Sequence, residues 1–154
     1  MWQCTVMDGL CACGLPRSQH RKHARMIDHL DHLVLTTIDI AKCIDFYTRV
    51  LGMELQNYTT AAGGARQALK FGNQKINLHV RGAEFEPRAH LPVPGALDLC
   101  FIATVPLPEV IARLSREGCP IIAGPGLRAG ATQQIRSVYV RDPDLNLIEI
   151  AELV

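Results

Sequence analysis

Four side chains of metal-ligating type, His32, His79, Asp98 and Glu149, fall on stretches that read as strands. Imidazole and carboxylate donors together suit borderline or hard divalent ions such as zinc, nickel, manganese or iron. Two carboxylates with one or two histidines, leaving open coordination positions, would let such an ion act as a Lewis acid on a bound oxygen. Glu149 is also a candidate catalytic base for proton transfer. Arg128 and Arg136 flank a glycine-bearing loop, where a guanidinium can hold an anionic substrate group through paired hydrogen bonds. Each residue has an ordinary alternative: a strand-edge histidine or acid is often simply solvated, and exposed loop arginines are common.

What raises the ligand reading is that the chain says nearly the same thing twice. Residues 30–37 alternate as a strand, 40–51 carry apolar residues at helical spacing, and Gly52 supplies a stop; 97–102, 107–117 and Gly118 repeat that order. His32 and Gly52 are 20 residues apart, as are Asp98 and Gly118, so Asp98 rather than Leu99 matches His32 in register. Three further strands are expected in each copy: 53–60, 66–71 and 75–80 in the first, and 120–123, 135–141 and 147–152 in the second. The Gly124-Pro125-Gly126 run and Gly130 mark a longer loop. The pattern predicts one α+β domain, residues 26–154, made of two βαβββ modules at about 30–80 and 95–152. Between them Pro87, Pro92 and Pro94 predict an irregular crossover. A duplicated module would set the first strand of each copy across a shared cleft, bringing His32 and Glu149 to one cavity.

Composition narrows the class. With 154 residues, 48% of them hydrophobic, the chain can bury one sizeable core. No apolar run approaches the roughly 18 residues that span a bilayer, so no membrane association is expected. Residues 1–25 hold four Lys/Arg and one Asp, whereas the rest holds twelve and fourteen, a balance that offers no basic footprint for nucleic acid. That first segment lacks periodicity and reads as a flexible extension. Cys43, Cys100 and Cys119 sit in apolar contexts and read as reduced core thiols of a cytoplasmic-type protein. Phe46 and Tyr47 read as packing between the helix and its sheet.

At this point motifs accumulate. Phe46-Tyr47-Thr48-Arg49-Val50-Leu51-Gly52-Met53, and Arg141-Asp142-Pro143-Asp144 before Asn146-Leu147-Ile148-Glu149, resemble the vicinal oxygen chelate superfamily, which includes glyoxalase I, bleomycin-resistance proteins, fosfomycin-resistance enzymes and extradiol dioxygenases. The 74–79 strand, 84–87 and 124–130 are most similar to glyoxalase domain-containing proteins and bacterial glyoxalase-like proteins, some called virulence proteins. The resemblance implies that His32 and Glu149 are metal ligands. It places the amide of Asn77 where glyoxalase I has a glutamate, with His79 two residues on, and Asp98 where that family has a histidine. Leu145 stands where glycine is usual in the Asp-Pro-Asp turn, so the turn is expected to depart from the left-handed backbone that glycine accepts.

The resemblance further implies a divalent metal-dependent enzyme acting on a small oxygen-bearing substrate, a lyase or isomerase like lactoylglutathione lyase, working as a homodimer. Two alternatives stay open. One is a binding module that sequesters a small molecule, as bleomycin-resistance proteins do; the other is an extradiol-type dioxygenase using His32, His79 and Glu149.

Overall fold

The computed structural model describes residues 26–154; the expected N-terminal extension, 1–25, lies outside the described residues. The first module runs β1 (His32–Thr37), α1 (Ile40–Asp45), β2 (Glu54–Thr59), β3 (Ala65–Phe71) and β4 (Gln74–Val80). The second runs β5 (Asp98–Ile102), α2 (Leu107–Arg116), β6 (Ala123–Ala129), β7 (Gln134–Arg141) and β8 (Leu147–Leu153). Each forms a four-stranded mixed sheet, ordered β1-β4-β3-β2 and β5-β8-β7-β6. The fold is therefore α+β with two βαβββ modules.

Helix α1 starts where Asp39 accepts from the amides of Ala41 and Lys42, both at 3.1 Å, satisfying two of the donors a helix start leaves free. From Phe46 to Val50 the helix widens into a π turn. The added residue per turn rotates the last part of the helix, so Phe46 and Val50 fill the core while Leu51, expected there, is only half-buried. Gly52 then takes the left-handed form at φ 79°. Helix α2 has proline in its first turn, where no backbone donor is lost, and buries Leu107, Val110 and Leu114.

One core joins the modules. Leu35, Leu69, Ile76 and Leu78 of the first sheet and Val138, Val140, Ile148 and Ile150 of the second pack with both helices in a single cluster, and Phe71 meets Phe101 edge-on at 5.2 Å. Polar ties cross the same boundary. The buried Tyr47 hydroxyl donates to Asp142 at 3.0 Å, the Ile38 amide donates to Asp144 at 3.0 Å, and Arg113 donates to the Arg49 carbonyl at 2.8 Å. Tyr47 thus does more than pack. Burial and the neighbouring Asp142 charge raise its pKa well above the ordinary tyrosine range, keeping it a donor.

Two local expectations differ from what forms. Strand β6 occupies Ala123–Ala129, the stretch read as loop. It is an edge strand, where the donor missing from Pro125 costs nothing on the open side. Gly124 is required there because a Cβ would lie 2.5 Å from the Ser137 carbonyl oxygen. Leu145 does adopt the left-handed form, at φ 69°. Its turn is over-determined: Asp142 Oδ1 accepts from the amides of Asp144 and Asn146, and Arg141 donates to the Leu145 carbonyl.

Candidate functional site

Side chains alternate across a strand, so each sheet presents one face to the shared core and one away from it. In the first module the core takes Leu33, Leu35, Ile76 and Leu78, leaving His32, Val34, Asn77 and His79 on the other face. In the second it takes Leu99, Phe101, Ile148 and Ile150, leaving Asp98, Cys100 and Glu149. Leu99 therefore belongs to the core and Asp98 shares the face of Glu149.

Strand register makes the duplication explicit. His32 pairs with Lys75 and Val34 with Asn77 across β1 and β4; Asp98 pairs with Leu147 and Cys100 with Glu149 across β5 and β8. His32 and Asp98 are thus equivalent positions, and so are Asn77 and Glu149. His79 pairs with Thr36, four residues further along, roughly 13 Å from the His32 row at the rise of a strand. The structure does not bring His79 to His32.

His32 is exposed and its Nδ1–H donates to Asp31 Oδ2 at 2.6 Å, leaving Nε2 for another partner. A carboxylate behind an imidazole in this way fixes the tautomer and orientation of a metal ligand. The hydrogen bond to His32 holds the Asp31 carboxyl below its usual range.

Glu149 is half-buried. Its Oε1 accepts from the Ser137 hydroxyl at 2.5 Å, and Tyr139 and Cys100 are its neighbours on the paired strands. Burial acts to raise its pKa, but the Ser137 hydrogen bond, the polar groups of Tyr139 and Cys100 and the Arg128 charge outweigh it and hold the carboxyl below the ordinary value. Sequence reasoning missed Ser137 and Tyr139, although they are alternate residues of a strand paired with the one bearing Glu149. Cys100 is exposed on this face rather than core, yet burial of its sulfur and the adjoining Glu149 push the thiol up to about 12, so it is no nucleophile.

The arginines separate. Arg128 lies on the Glu149 face, its guanidinium 5.8 Å from the Tyr139 ring centre. Arg136 is on the core side, opposite Glu152, and its guanidinium is taken up by that carboxylate, which also accepts from the Leu107 amide at 2.7 Å. Strand parity removes Arg136 from the Glu149 face.

Within the chain the His32 imidazole pairs with Asp31 and the Glu149 carboxylate with Ser137. Among the described residues no three His, Cys, Asp or Glu side chains are grouped to hold a metal ion. No helix of the described residues is long and apolar enough to cross a membrane.

Known proteins share this fold. Virulence protein STM3117 of Salmonella typhimurium is 46% identical over 140 residues, covering 91% of this chain and 94% of its own. Its crystal structure matches with a TM-score of 0.77 at 50% identity, over 84% of this chain and 99% of that one. The glyoxalase domain-containing protein RDO1 of Mycosarcoma maydis is 46% identical over 136 residues, 88% of this chain and 74% of its own. A lactoylglutathione lyase from Agrobacterium tumefaciens shares the fold with a TM-score of 0.61, over 83% of this chain and 96% of that one, at 22% identity. Residues 29–150 match the family model described as Glyoxalase/Bleomycin resistance protein/Dioxygenase superfamily, and the chain belongs to that superfamily.

Proposed function

We propose that the chain works as a homodimer in which the His32 face of one copy lies against the Glu149 face of the other, with a divalent ion between them, for glyoxalase-type chemistry on a small oxygen-bearing substrate. The observation that carries this reading is that His32, Asp98 and Glu149 lie on sheet faces that keep large apolar side chains exposed. Val34, Ile102 and Leu153 share those faces at 43%, 49% and 51% exposure, and β1 and β5 end their sheets. Bare apolar faces beside unpaired strand edges call for a cover.

The donor chemistry fits a divalent ion of borderline hardness: an imidazole already braced by Asp31, and the carboxylates of Glu149 and Asp98. When bound, the ion polarises substrate oxygens and stabilises negative charge as it develops there. The protein supplies the rest. Glu149 is ionised at neutral pH and its Oε1 is fixed by Ser137, so its carboxylate accepts a proton rather than donating one. Arg128, on the same face, holds an anionic group of the substrate.

One observation favours a second reading, a sequestering protein without metal chemistry. Asn77, the counterpart of Glu149, is an amide whose Oδ1 accepts from the Tyr58 hydroxyl at 3.2 Å, so the first module offers one ligand fewer. Elemental analysis of tag-free protein, offered zinc, nickel, manganese and iron in turn, separates the two. Stoichiometric metal lost in His32→Ala and in Glu149→Gln supports the enzyme; no bound metal supports sequestration. Refolding the two variants together tests the composite site. Half of randomly exchanged dimers are mixed and each has one intact site of two, so about a quarter of the wild-type metal should return. A metal-binding wild type whose mixed variants recover nothing would place the site within one chain.

A further inference from the structure

We propose that the substrate of the composite site is a small dicarboxylate, gripped at one end by Arg128 and at the other by Arg66. This deepens the reading above and rests on it, since that reading sets the two arginines on opposed walls of one cleft. The starting point is a device that the chain uses twice. Gly64-Ala65-Arg66 and Gly126-Leu127-Arg128 repeat one pattern, a glycine two residues before an arginine, each in the outer hairpin of its sheet. In extended chain those two positions share a face, so the glycine lies beside the path of the guanidinium.

The two arms are built alike. Arg66 Nη1 donates to the Ala65 carbonyl at 2.8 Å, and Arg128 Nη1 donates to the Leu127 carbonyl at 2.8 Å. A Cβ on the glycine would crowd that nitrogen in both, at 2.7 Å for Gly64 and 3.1 Å for Gly126. Each guanidinium also faces a ring, 3.1 Å from the centre of Phe85 for Arg66 and 5.8 Å from that of Tyr139 for Arg128. Most of the five N–H donors of each stay open, and among the described residues no Asp or Glu carboxylate lies within ion-pair distance of either. A guanidinium braced from behind keeps its planar fork set, and a carboxylate is the anion that matches that fork with paired hydrogen bonds. One such arm selects an acid; two on opposed walls select a molecule with an acid at each end.

Strand pairing puts both arms on the faces that carry the metal donors, yet clear of the donors themselves. Arg66 pairs with Tyr58 and lies two residues past Ala68, the partner of Asn77, so it stands roughly 7 Å along the strand from the Asn77 row. Arg128 pairs with Ile135, the partner of Leu153, four residues or roughly 13 Å beyond the Glu149 row. His79 shares the face of Arg66. It is 8% exposed, edge-on to Phe85 at 5.2 Å, and its Nδ1 has no partner. Too far along the strand to join an ion at His32, His79 is placed for the substrate, since an oxygen of the bound acid or its water would satisfy that nitrogen.

Calorimetric titration of the full chain with succinate, glutarate and adipate, each beside its monoamide, tests this. At least one diacid is expected to bind saturably, its monoamide binding roughly ten-fold or more weakly through loss of one charge-assisted pair. Arg66→Gln and Arg128→Gln should each lower the diacid to the affinity of its monoamide, while metal content and dimer mass, read by elemental analysis and sedimentation, stay as in wild type. Arg66→Lys should fall between. Should Arg66→Gln lose its fold by circular dichroism, Phe85→Leu, which keeps the charge and removes the ring behind it, should reduce the preference for the diacid. Mixed dimers of the two glutamine variants should recover about a quarter of the high-affinity sites. The proposal is overturned if no diacid binds saturably, if diacid and monoamide bind alike, or if folded Arg66 variants keep the wild-type preference. Failure of the composite reading looks different: a metal-free monomer that still needs both arginines to prefer the diacid keeps the clamp and refutes the shared site, whereas a metal-bound dimer without that preference does the reverse.

Discussion

Glu149 shows how a carboxylate is tuned by what touches it. Burial alone would make it a weaker acid; the Ser137 hydroxyl, Tyr139, Cys100 and Arg128 together make it a stronger one. Ser137→Ala removes the shortest of these contacts, so the titration midpoint of Glu149, followed by NMR of its side-chain carboxyl, should move upward. Because the folded pKa lies below the unfolded value, this group adds stability that is present above the unfolded pKa and is lost as pH falls through the folded one. The variant should therefore be less stable than wild type at neutral pH, with the gap closing in acid. A midpoint that stays put would mean the hydroxyl does not hold the carboxylate. That His32 and Asp98 occupy equivalent strand positions was legible because a duplicated spacing supplies its own register, whereas Glu149 was reached through the motif that precedes it. Arg136 was not legible, since its face depends on pairing with Glu152 across a hairpin, which spacing from the glycine loop does not reveal. His79 has the right parity and the wrong distance, and only the pairing of β1 with β4 tells the two apart.

Among the elements, the Asp142–Asn146 turn shows local sequence preference giving way to its surroundings. Leu145 is held at positive φ by hydrogen bonds from both sides although a branched side chain resists that region, at about 1–2 kcal/mol. Its side chain is 66% exposed, so little packing is lost on removal. Leu145→Gly should raise unfolding free energy by roughly 0.5–1 kcal/mol, after allowing for the extra freedom of glycine in the unfolded chain. Chemical denaturation reads this directly, and a loss of stability would show that the leucine contributes contacts beyond its backbone strain. Helices and most strands could be read from periodicity, because a face packed on a core leaves its period in the sequence. Strand β6 could not: its Gly-Pro-Gly run is the signature of a loop, and what makes it a strand is the approach of its backbone to Ser137. The π turn escaped for the same reason, since its extra residue is set by what the core requires around Phe46 and Val50.

Across the whole molecule, two similar modules have become one cooperative body. Their helices share a core, and Tyr47 with Asp142 and Arg49 with Glu117 join residues far apart in the chain. The metal reading also belongs to this scale, since neither module alone offers more than part of a ligand set. The crossover contrasts with the rest: residues 81–97 carry no strand or helix and are mostly exposed. That segment is a tether, and the adhesion between halves lies elsewhere. Chains cut after Arg88 should therefore behave as two fragments that recognise each other: 26–88 and 89–154, expressed together, should co-purify and unfold in one transition, while each alone should lack a stable fold. In that sense the covalent link between the modules is dispensable, and the buried interface that replaced it is what makes a doubled sequence a single protein.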